Sequence, residues 1–308
     1  MIQTTNLTKQ FGDFTAVAGV NLHVRAGEVL ALLGPNGAGK TTTVRMLTTV
    51  LKPTQGTAQV NGFDILDQDQ DVRATVGVLT EDHGLYDRMY LQEYLDFFGQ
   101  LYGIGPRHRQ MRIEELYHKF GLERDLDRRI GEFSKGMRQK LSLARTLLHE
   151  PAVLLLDEPT SAMDPESARL VRDAISTLRS EDRAIIICTH NLAEAEILAD
   201  KIAIIRRGEI IAQGSPDELR HQLLGPGEFL IQVQEALDGR VLPLPENLKV
   251  TGRGEDWFRY VVPDPSSRNP EIIRLLHRAG FNIVRVEKVQ RKLESVYLKA
   301  VNPQGGVR

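Results

Sequence analysis

The feature that most constrains this chain is a glycine-rich segment, Gly34–Thr41, with the sequence GPNGAGKT. It matches every fixed position of the phosphate-binding pattern G-x-x-x-x-G-K-[ST]. An apolar run at 29–33 precedes it and a helical segment from Thr42 follows it, which is the strand–loop–helix context that the motif requires. Glycines let backbone N–H groups point inward at an anion, and the following helix adds the positive end of its dipole. The segment therefore predicts a nucleoside triphosphate site.

Composition narrows the class of protein. The 308 residues are 41% hydrophobic and 26% charged, as in an ordinary soluble globular protein. The net charge of −2 gives no basic field that would favour nucleic acid as a partner. The single cysteine, Cys188, leaves no intrachain disulfide or multi-cysteine metal site. We find no apolar run of about 18 residues and no signal peptide at the start, so we expect a cytoplasmic protein.

The apolar patterns predict an α/β fold. The continuous runs 153–156 and 184–188 are typical of parallel strands covered on both faces. Pro165–Leu178, between them, predicts a crossover helix. From Tyr90 to Glu150 apolar residues recur at helical spacing, so a helical subdomain is expected over about 82–150.

A boundary is predicted near the segment Leu224-Gly225-Pro226-Gly227. It separates a domain at 1–222 from a small α+β domain at 223–308. Within the small domain, Asn269-Pro270-Glu271 predicts a helix start, because Asn is a good cap and Pro suits the first turn.

Three further motifs follow the glycine-rich segment in order. Phe133–Gln139 (FSKGMRQ) comes just before a helix, Asp157-Glu158 ends an apolar strand and leads on to Ser161-Ala162-Met163-Asp164, and His190 ends the next strand. With these motifs the chain, over about residues 2–222, resembles the ATP-binding subunit of ABC transporters. The resemblance implies a P-loop ABC cassette with a RecA-like parallel core, an antiparallel β subdomain and a helical subdomain, followed here by the small C-terminal domain.

Together with the resemblance, physical chemistry gives the residues of these motifs their expected roles. Lys40 would reach the β- and γ-phosphates as a point charge, and Glu158 is the candidate general base for the attacking water. His190 would stabilise charge on the γ-phosphate. Thr41 and Asp157 would hold Mg²⁺. The predicted ATP-binding residues of the loop are Gly34, Pro35, Asn36, Gly37, Ala38, Gly39, Lys40, Thr41 and Thr42.

The resemblance also implies that each ATP is shared between two chains. Ser134 and Gly136 would grip the γ-phosphate bound to the opposite subunit, and Asp164 would lie in the loop that crosses the dimer interface. Phe11 stands where the family places a ring that stacks on adenine, although it could equally pack within its own domain. The implied partners are a second ATPase chain and a separate integral-membrane permease, which would hold the protein on the inner face of the membrane. We expect the second chain to be an identical copy, but the sequence leaves a different ATPase chain open. Nucleic acid is not among them.

Two motifs depart from the family pattern. The usual signature is Leu-Ser-Gly-Gly-Gln, and here it is Phe133-Ser134-Lys135-Gly136-Met137, which keeps the phosphate-contacting Ser134 and Gly136 and adds the positive charge of Lys135. Glu81 replaces a glutamine that contacts Mg²⁺ or the attacking water. Because a carboxylate is a good ligand for Mg²⁺, we hypothesise that Glu81 is a catalytic residue on the metal side of the site.

Aromatic residues are concentrated between Tyr86 and Tyr102. They could pack within the helical subdomain, but Tyr86 and Tyr90 directly follow Glu81, where relatives receive the permease, and aromatic side chains are enriched at interfaces. Both interpretations stay open at this point. The histidines His83, His108 and His149 are expected at the surface.

The tail favours export over import. Arg291–Leu298 (RKLESVYL) resembles the closing segment of exporter ATPases for sodium and drugs, with Lys292 in place of the usual serine. Two other classes remain as alternatives: a soluble ABC ATPase of translation or DNA repair, and a regulatory nucleotide switch that is not coupled to transport. The sequence names neither the cargo nor the role of the small domain.

Overall fold

The computed structural model describes residues 1–80, 84–161, 163–179, 182–237, 239–245 and 247–301. The chain divides into two compact units, Met1–Pro216 and Asp217–Arg308. Glu81, His83 and Ala162, all named above, lie outside the described residues.

The first unit contains an antiparallel sheet, a mostly parallel sheet and the helices around them. In chain order its elements are β1 (Ile2–Phe11), β2 (Phe14–Val20), β3 (His23–Val24), β4 (Val29–Leu33), α1 (Lys40–Leu47), β5 (Gln55–Val60), β6 (Phe63–Asp64), α2 (Asp69–Thr75), β7 (Val76–Leu79), α3 (Leu91–Leu101), α4 (Pro106–Lys119), α5 (Lys135–Leu147), β8 (Val153–Asp157), α6 (Pro165–Thr177), β9 (Ala184–Thr189), α7 (Leu192–Leu198), β10 (Lys201–Arg206) and β11 (Glu209–Gly214).

The larger sheet has the strand order β11-β10-β4-β9-β8-β7, and its pairs are parallel except for the β10–β11 hairpin. The other sheet has the order β2-β1-β5-β6 with β3 paired to β1, and it is antiparallel. The predicted parallel strands at 153–156 and 184–188 are thus confirmed, as are the crossover helix between them and the α/β class.

Side-chain alternation explains why the central strands are apolar throughout. In β9, Ala184, Ile186 and Cys188 belong to one hydrophobic core, and Ile185 and Ile187 belong to another. The first core packs between the two sheets, whereas the second includes residues of the helices α3–α6. Successive strand residues point to opposite faces, so a strand buried on both faces needs no polar residue.

The second unit has a four-stranded antiparallel sheet with the order β13-β14-β12-β15. Its elements are α8 (Pro216–Leu224, which begins at the division between the units), β12 (Glu228–Val233), β13 (Lys249–Arg253), β14 (Trp257–Val261), α9 (Pro265–Arg278), β15 (Ile283–Lys288) and α10 (Leu293–Val301). Ile231, Phe258 and Tyr260 of the sheet share a core with Ile272 and Leu276 of α9.

The predicted helix start at Asn269 is wrong. The helix begins earlier, because Asp264 caps it by accepting a hydrogen bond from Ser266 N–H at 3.1 Å and Pro265 occupies its first position. Pro270 therefore lies inside α9. An Asp-Pro pair is as good a start signal as Asn-Pro, and the earlier of the two sets the boundary here.

The prediction for the histidines holds for His108, which is exposed, but only in part for His149, which is half-buried. The His149 ring stacks on Tyr102 with 4.1 Å between centroids, and its Nε2 lies 3.2 Å from the carbonyl oxygen of Val76. Burial lowers the pKa of His149. His149 therefore fastens the end of the α5 region to β7.

We expect Ile186→Ala to lower the free energy of unfolding by about 2–5 kcal/mol, because it empties part of a packed core. Ile186 is 1% exposed, whereas Ile197, the matched control, is 64% exposed. Ile197→Ala should change the same quantity by less than about 0.5 kcal/mol. Urea unfolding followed by far-UV circular dichroism measures both, and equal effects of the two changes would contradict the core assignment.

Candidate functional site

The glycine-rich loop joins the end of β4 to the start of α1, and its glycines are required by its geometry. Gly37 and Gly39 have φ of 77° and 108°, which side chains rarely tolerate. A Cβ on Gly39 would lie 2.6 Å from the carbonyl oxygen of Ala16, and one on Gly34 would lie 2.3 Å from that of Ile205. The loop is thus held tightly against β2 and β10, and its backbone forms a cradle that a side chain would fill.

Lys40 is buried at the base of this loop, with 5% of its surface exposed. Its Nζ donates hydrogen bonds to the carbonyl oxygens of Gly34 at 2.8 Å and Pro35 at 3.3 Å. It also lies 3.3 Å from Oε1 of Glu158. A buried ammonium needs such partners, so the loop carbonyls and Glu158 hold a positive charge inside the cradle.

Thr41 and Asp157 meet beside the cradle. The Thr41 hydroxyl donates to Oδ2 of Asp157 at 2.7 Å, and Asp157 is buried at the last position of β8. A hydroxyl and a carboxylate at this separation are hard oxygen ligands of the kind that Mg²⁺ prefers. The two residues therefore fit the predicted metal site.

Glu158 lies at the centre of the cluster. Its φ of 50° is left-handed, and its N–H donates to the carbonyl oxygen of Cys188 at 2.8 Å. Its Oε2 lies 2.9 Å from Nδ1 of His190, and its side chain is 10% exposed where that of His190 is 54% exposed. The carboxylate thus bridges the buried Lys40 and the accessible His190. A strained backbone at such a position is a mark of functional sites.

Ser134, Gly136 and Asp164 form a second group. Ser134 caps α5 by accepting a hydrogen bond from Met137 N–H at 3.3 Å, and Asp164 caps α6 by accepting one from Ser167 N–H at 2.9 Å. A Cβ on Gly136 would lie 3.2 Å from the Ser167 hydroxyl. The hydrogen bonds from Ser167 lower the pKa of Asp164. Ser134 and Asp164 are both exposed, so this group faces outward.

The remaining predicted positions surround the loop. Asn36 is exposed, Ala38 is buried and Thr42 is half-buried. Phe11 ends β1 and is half exposed, with Lys9 Nζ 5.2 Å from its ring centroid. Glu81 lies outside the described residues, so its place in the site stays a prediction.

A cleft of about 1000 Å³ opens beside the metal-type residues. Thr41 and Asp157 line it together with Val78, Thr80 and Arg145. Sequence analysis did not single out Arg145, whose guanidinium donates to the Tyr94 hydroxyl at 2.7 Å. Nothing in the sequence marks one arginine of a helix as lining a cleft.

The aromatic residues after position 86 are partly packed and partly open. Tyr86 lies 6.1 Å from the Phe98 ring and 5.8 Å from the Tyr94 ring, measured between centroids. Tyr94 is buried, whereas Tyr86, Tyr90 and Phe97 remain exposed. Core packing thus accounts for the inner members of the cluster, and its outer members present a surface.

We expect Gly39→Ala to destabilise the protein more than Gly37→Ala. Both glycines have positive φ, which costs an alanine about 1–2 kcal/mol, but a Cβ on Gly37 meets no atom within 4 Å. The contact with Ala16 should add about 1–3 kcal/mol at Gly39. Urea unfolding of the two nucleotide-free variants measures the difference, and equal losses would show that the loop is not packed against β2.

Comparison with known proteins assigns the family. A family model described as "ABC transporter" matches residues 17–161. The ABC transporter ATP-binding protein NatA of Bacillus subtilis (strain 168) is 42% identical over 224 residues, which are 71% of this chain and 91% of NatA. The daunorubicin resistance ATP-binding protein DrrA3 of Streptomyces coeruleorubidus is 34% identical over 294 residues, covering 94% of this chain and 92% of DrrA3.

Among solved structures, an ATP-binding subunit of an ABC transporter is 29% identical, with a TM-score of 0.68 over 73% of this chain and 94% of that one. In the part of the chain that the structure describes, no helix combines the length and the apolar character needed to cross a membrane. The predicted resemblance and fold are confirmed: the chain belongs to the family of ABC transporter ATP-binding proteins.

Proposed function

We propose that this protein hydrolyses ATP in sites shared between two copies of the chain, and that the cycle drives export through a separate membrane permease. The observation that carries the proposal is the contact of Glu158 with both Lys40 and His190, beside the Thr41–Asp157 pair. A general base, a phosphate-binding cation and a metal-type oxygen pair thereby meet at the mouth of one anion-binding loop.

Lys40 binds the phosphates. Its Nζ is held by loop carbonyls and Glu158. The β- and γ-phosphates of ATP are negatively charged, as Glu158 is, and they replace Glu158 as the partner of the lysine. The lysine turns from Glu158 towards the γ-phosphate, and the backbone N–H groups of the loop and of the start of α1 orient the chain of phosphates. Phe11 stacks on the adenine at the outer end.

Glu158 then becomes available as general base. Released from Lys40, its carboxylate accepts a proton from the water that attacks the γ-phosphorus, while the bond to the bridging oxygen of ADP breaks. His190 keeps its contact with Glu158 and stabilises charge on the γ-phosphate oxygens. When bound by Thr41 and Asp157, Mg²⁺ neutralises charge on the phosphate oxygens. The products are ADP and inorganic phosphate.

A second copy of the chain completes each site. Ser134 and Lys135, at the start of α5, are exposed, as is Asp164, and Gly136 is half-buried. A helix N-terminus presented to solvent is a ready-made site for an anion. Placed opposite the loop of a partner, Ser134 and Gly136 bind its γ-phosphate, so that ATP holds two chains together and hydrolysis releases them.

The permease would dock beside the metal-side cleft. The exposed Tyr86 and Tyr90 supply aromatic surface of the kind enriched in interfaces, and Thr80 at the cleft directly precedes Glu81. We propose that Glu81 couples the metal side of the ATP site to the docked permease. The direction of transport rests on the 291–298 segment and on a relative named for daunorubicin resistance.

The test of hydrolysis is Glu158→Gln. We expect steady-state ATPase activity to fall at least about 100-fold, since general-base catalysis contributes on this order, while ATP binding persists. Because the composite site then holds ATP without turnover, the variant should elute as a dimer with ATP and Mg²⁺. The exposed Glu114→Gln is the matched control and should behave as wild type. Full activity of Glu158→Gln would refute the assignment of the base.

The test of the metal site is Asp157→Asn. It should raise the Mg²⁺ concentration needed for half-maximal ATPase activity by about tenfold or more, because the carboxylate charge is lost from a ligand position. Asp173→Asn, on an exposed face of α6, should leave the Mg²⁺ titration unchanged. An unaltered titration for Asp157→Asn would remove Asp157 from the metal site.

A further inference from the structure

Glu194, on α7, is a buried acid that the proposed mechanism does not use. Only 1% of its surface is exposed, and burial raises its pKa. Burying a carboxyl is costly unless hydrogen bonds compensate. Sequence analysis missed this residue, because an acid in the first turn of a helix has an ordinary electrostatic explanation.

The carboxyl of Glu194 joins two loops of the site. The Thr160 hydroxyl donates to its Oε1 at 2.7 Å, and the Thr189 hydroxyl lies close enough to the same carboxyl to lower its pKa against the effect of burial. Thr160 lies two residues after Glu158, and Thr189 directly precedes His190. One buried side chain therefore holds the segment after the base to the segment before the histidine.

The contacts continue in both directions. On one side, the Gln139 side-chain amide, buried on α5, donates to the carbonyl oxygen of Pro159 at 2.7 Å. On the other side, the carbonyl oxygen of Thr189 accepts a hydrogen bond from Gly34 N–H at 3.2 Å. A chain of contacts thus runs from α5, which Ser134 caps, through Glu194 to Gly34, the first residue of the phosphate loop.

Helix stabilisation alone does not account for this arrangement. An acid in the first turn of α7 would favour the helix dipole equally well while exposed to water, and the Asn191 side chain already caps the helix. A buried polar network that is satisfied at each member fixes one conformation. The Thr160 hydroxyl supplies a hydrogen bond to Glu194, and the Thr189 hydroxyl lies beside the same carboxyl.

We propose that Glu194 is a positioning residue that locks the Glu158 loop to the His190 loop. Because Gln139 of α5 is hydrogen-bonded to Pro159, a displacement of α5 would move Glu158 and His190 together. The proposal rests on the proposed hydrolysis of ATP, and it adds that Glu158 and His190 are placed as one unit.

The test uses isosteric changes in the full-length protein. Thr160→Val removes the donor and Glu194→Met removes the acceptor, and the double variant closes a mutant cycle. Thr160→Ser restores the hydroxyl. Thr4→Val is the matched control, because Thr4 is also buried and its hydroxyl makes two hydrogen bonds, to Val20 and Leu22 in the antiparallel sheet.

We expect kcat to fall about tenfold in each single variant, because misplacing Glu158 and His190 weakens their stabilisation of the transition state, with the KM for ATP unchanged. The double variant should be no slower than the slower single one, since both changes break the same contact. Thr160→Ser should recover most of kcat, and Thr4→Val should keep it. Unchanged kcat in both single variants, or additive losses in the double variant, would overturn the proposal.

Amide hydrogen exchange gives a readout that does not need activity. Thr160→Val should speed exchange in the segment 189–195, and Glu194→Met should speed it in 158–161, whereas Thr4→Val should do neither. Absence of this reciprocal effect would also overturn the proposal. If the wild type hydrolyses no ATP under any condition, the proposed function fails, and the exchange experiment still decides whether the two loops are locked together.

Discussion

The site depends on the register of three parallel strands. Leu33 of β4 is paired with Thr189 of β9, and Asp157 of β8 is paired with Cys188, so the three strands end at one level. Ligands bind at this carboxyl edge of α/β sheets. The ladder even continues past the strand ends, because Gly34 and Glu158 donate to the carbonyl oxygens of Thr189 and Cys188. The phosphate loop, the acidic pair and the histidine are therefore placed by backbone pairing, before any side chain is considered.

Electrostatics then explains how one cluster serves two states. Lys40 and Glu158 are both largely buried, and each would be costly to leave unpaired. In the structure they form an ion pair, with 3.3 Å between Lys40 Nζ and Glu158 Oε1. Under the proposed function, the phosphates of ATP replace Glu158 as the partner of Lys40. The carboxylate of Glu158, which has then lost its partner, is the group that must accept a proton. Binding of the substrate and activation of the base are thus one exchange of partners.

The sequence predicted the parts of this arrangement that depend on local chemistry. The glycine-rich loop needs positive φ at Gly39, and strands buried on both faces need unbroken apolar runs, so both leave patterns that can be read. The start of α9 was misplaced because Asp264-Pro265 and Asn269-Pro270 give equivalent signals. The partial burial of His149 and the full burial of Glu194 were not predictable, because each depends on contacts with distant segments, Val76 in one case and Thr160 in the other.

The two groups of site residues differ in a way that bears on assembly. Lys40 and Asp157 are buried within the chain, whereas Ser134 and Asp164 are exposed helix caps. A single chain thus presents a phosphate cradle and, elsewhere on its surface, a helix N-terminus of the kind that can bind an anion. Under the proposed function, two copies facing each other would share the same phosphate groups between these two parts. Under the proposed function, the contact chain from Gln139 to Glu194 would connect the start of α5, which binds the ATP of the partner chain, to Glu158 and His190, which act in hydrolysis.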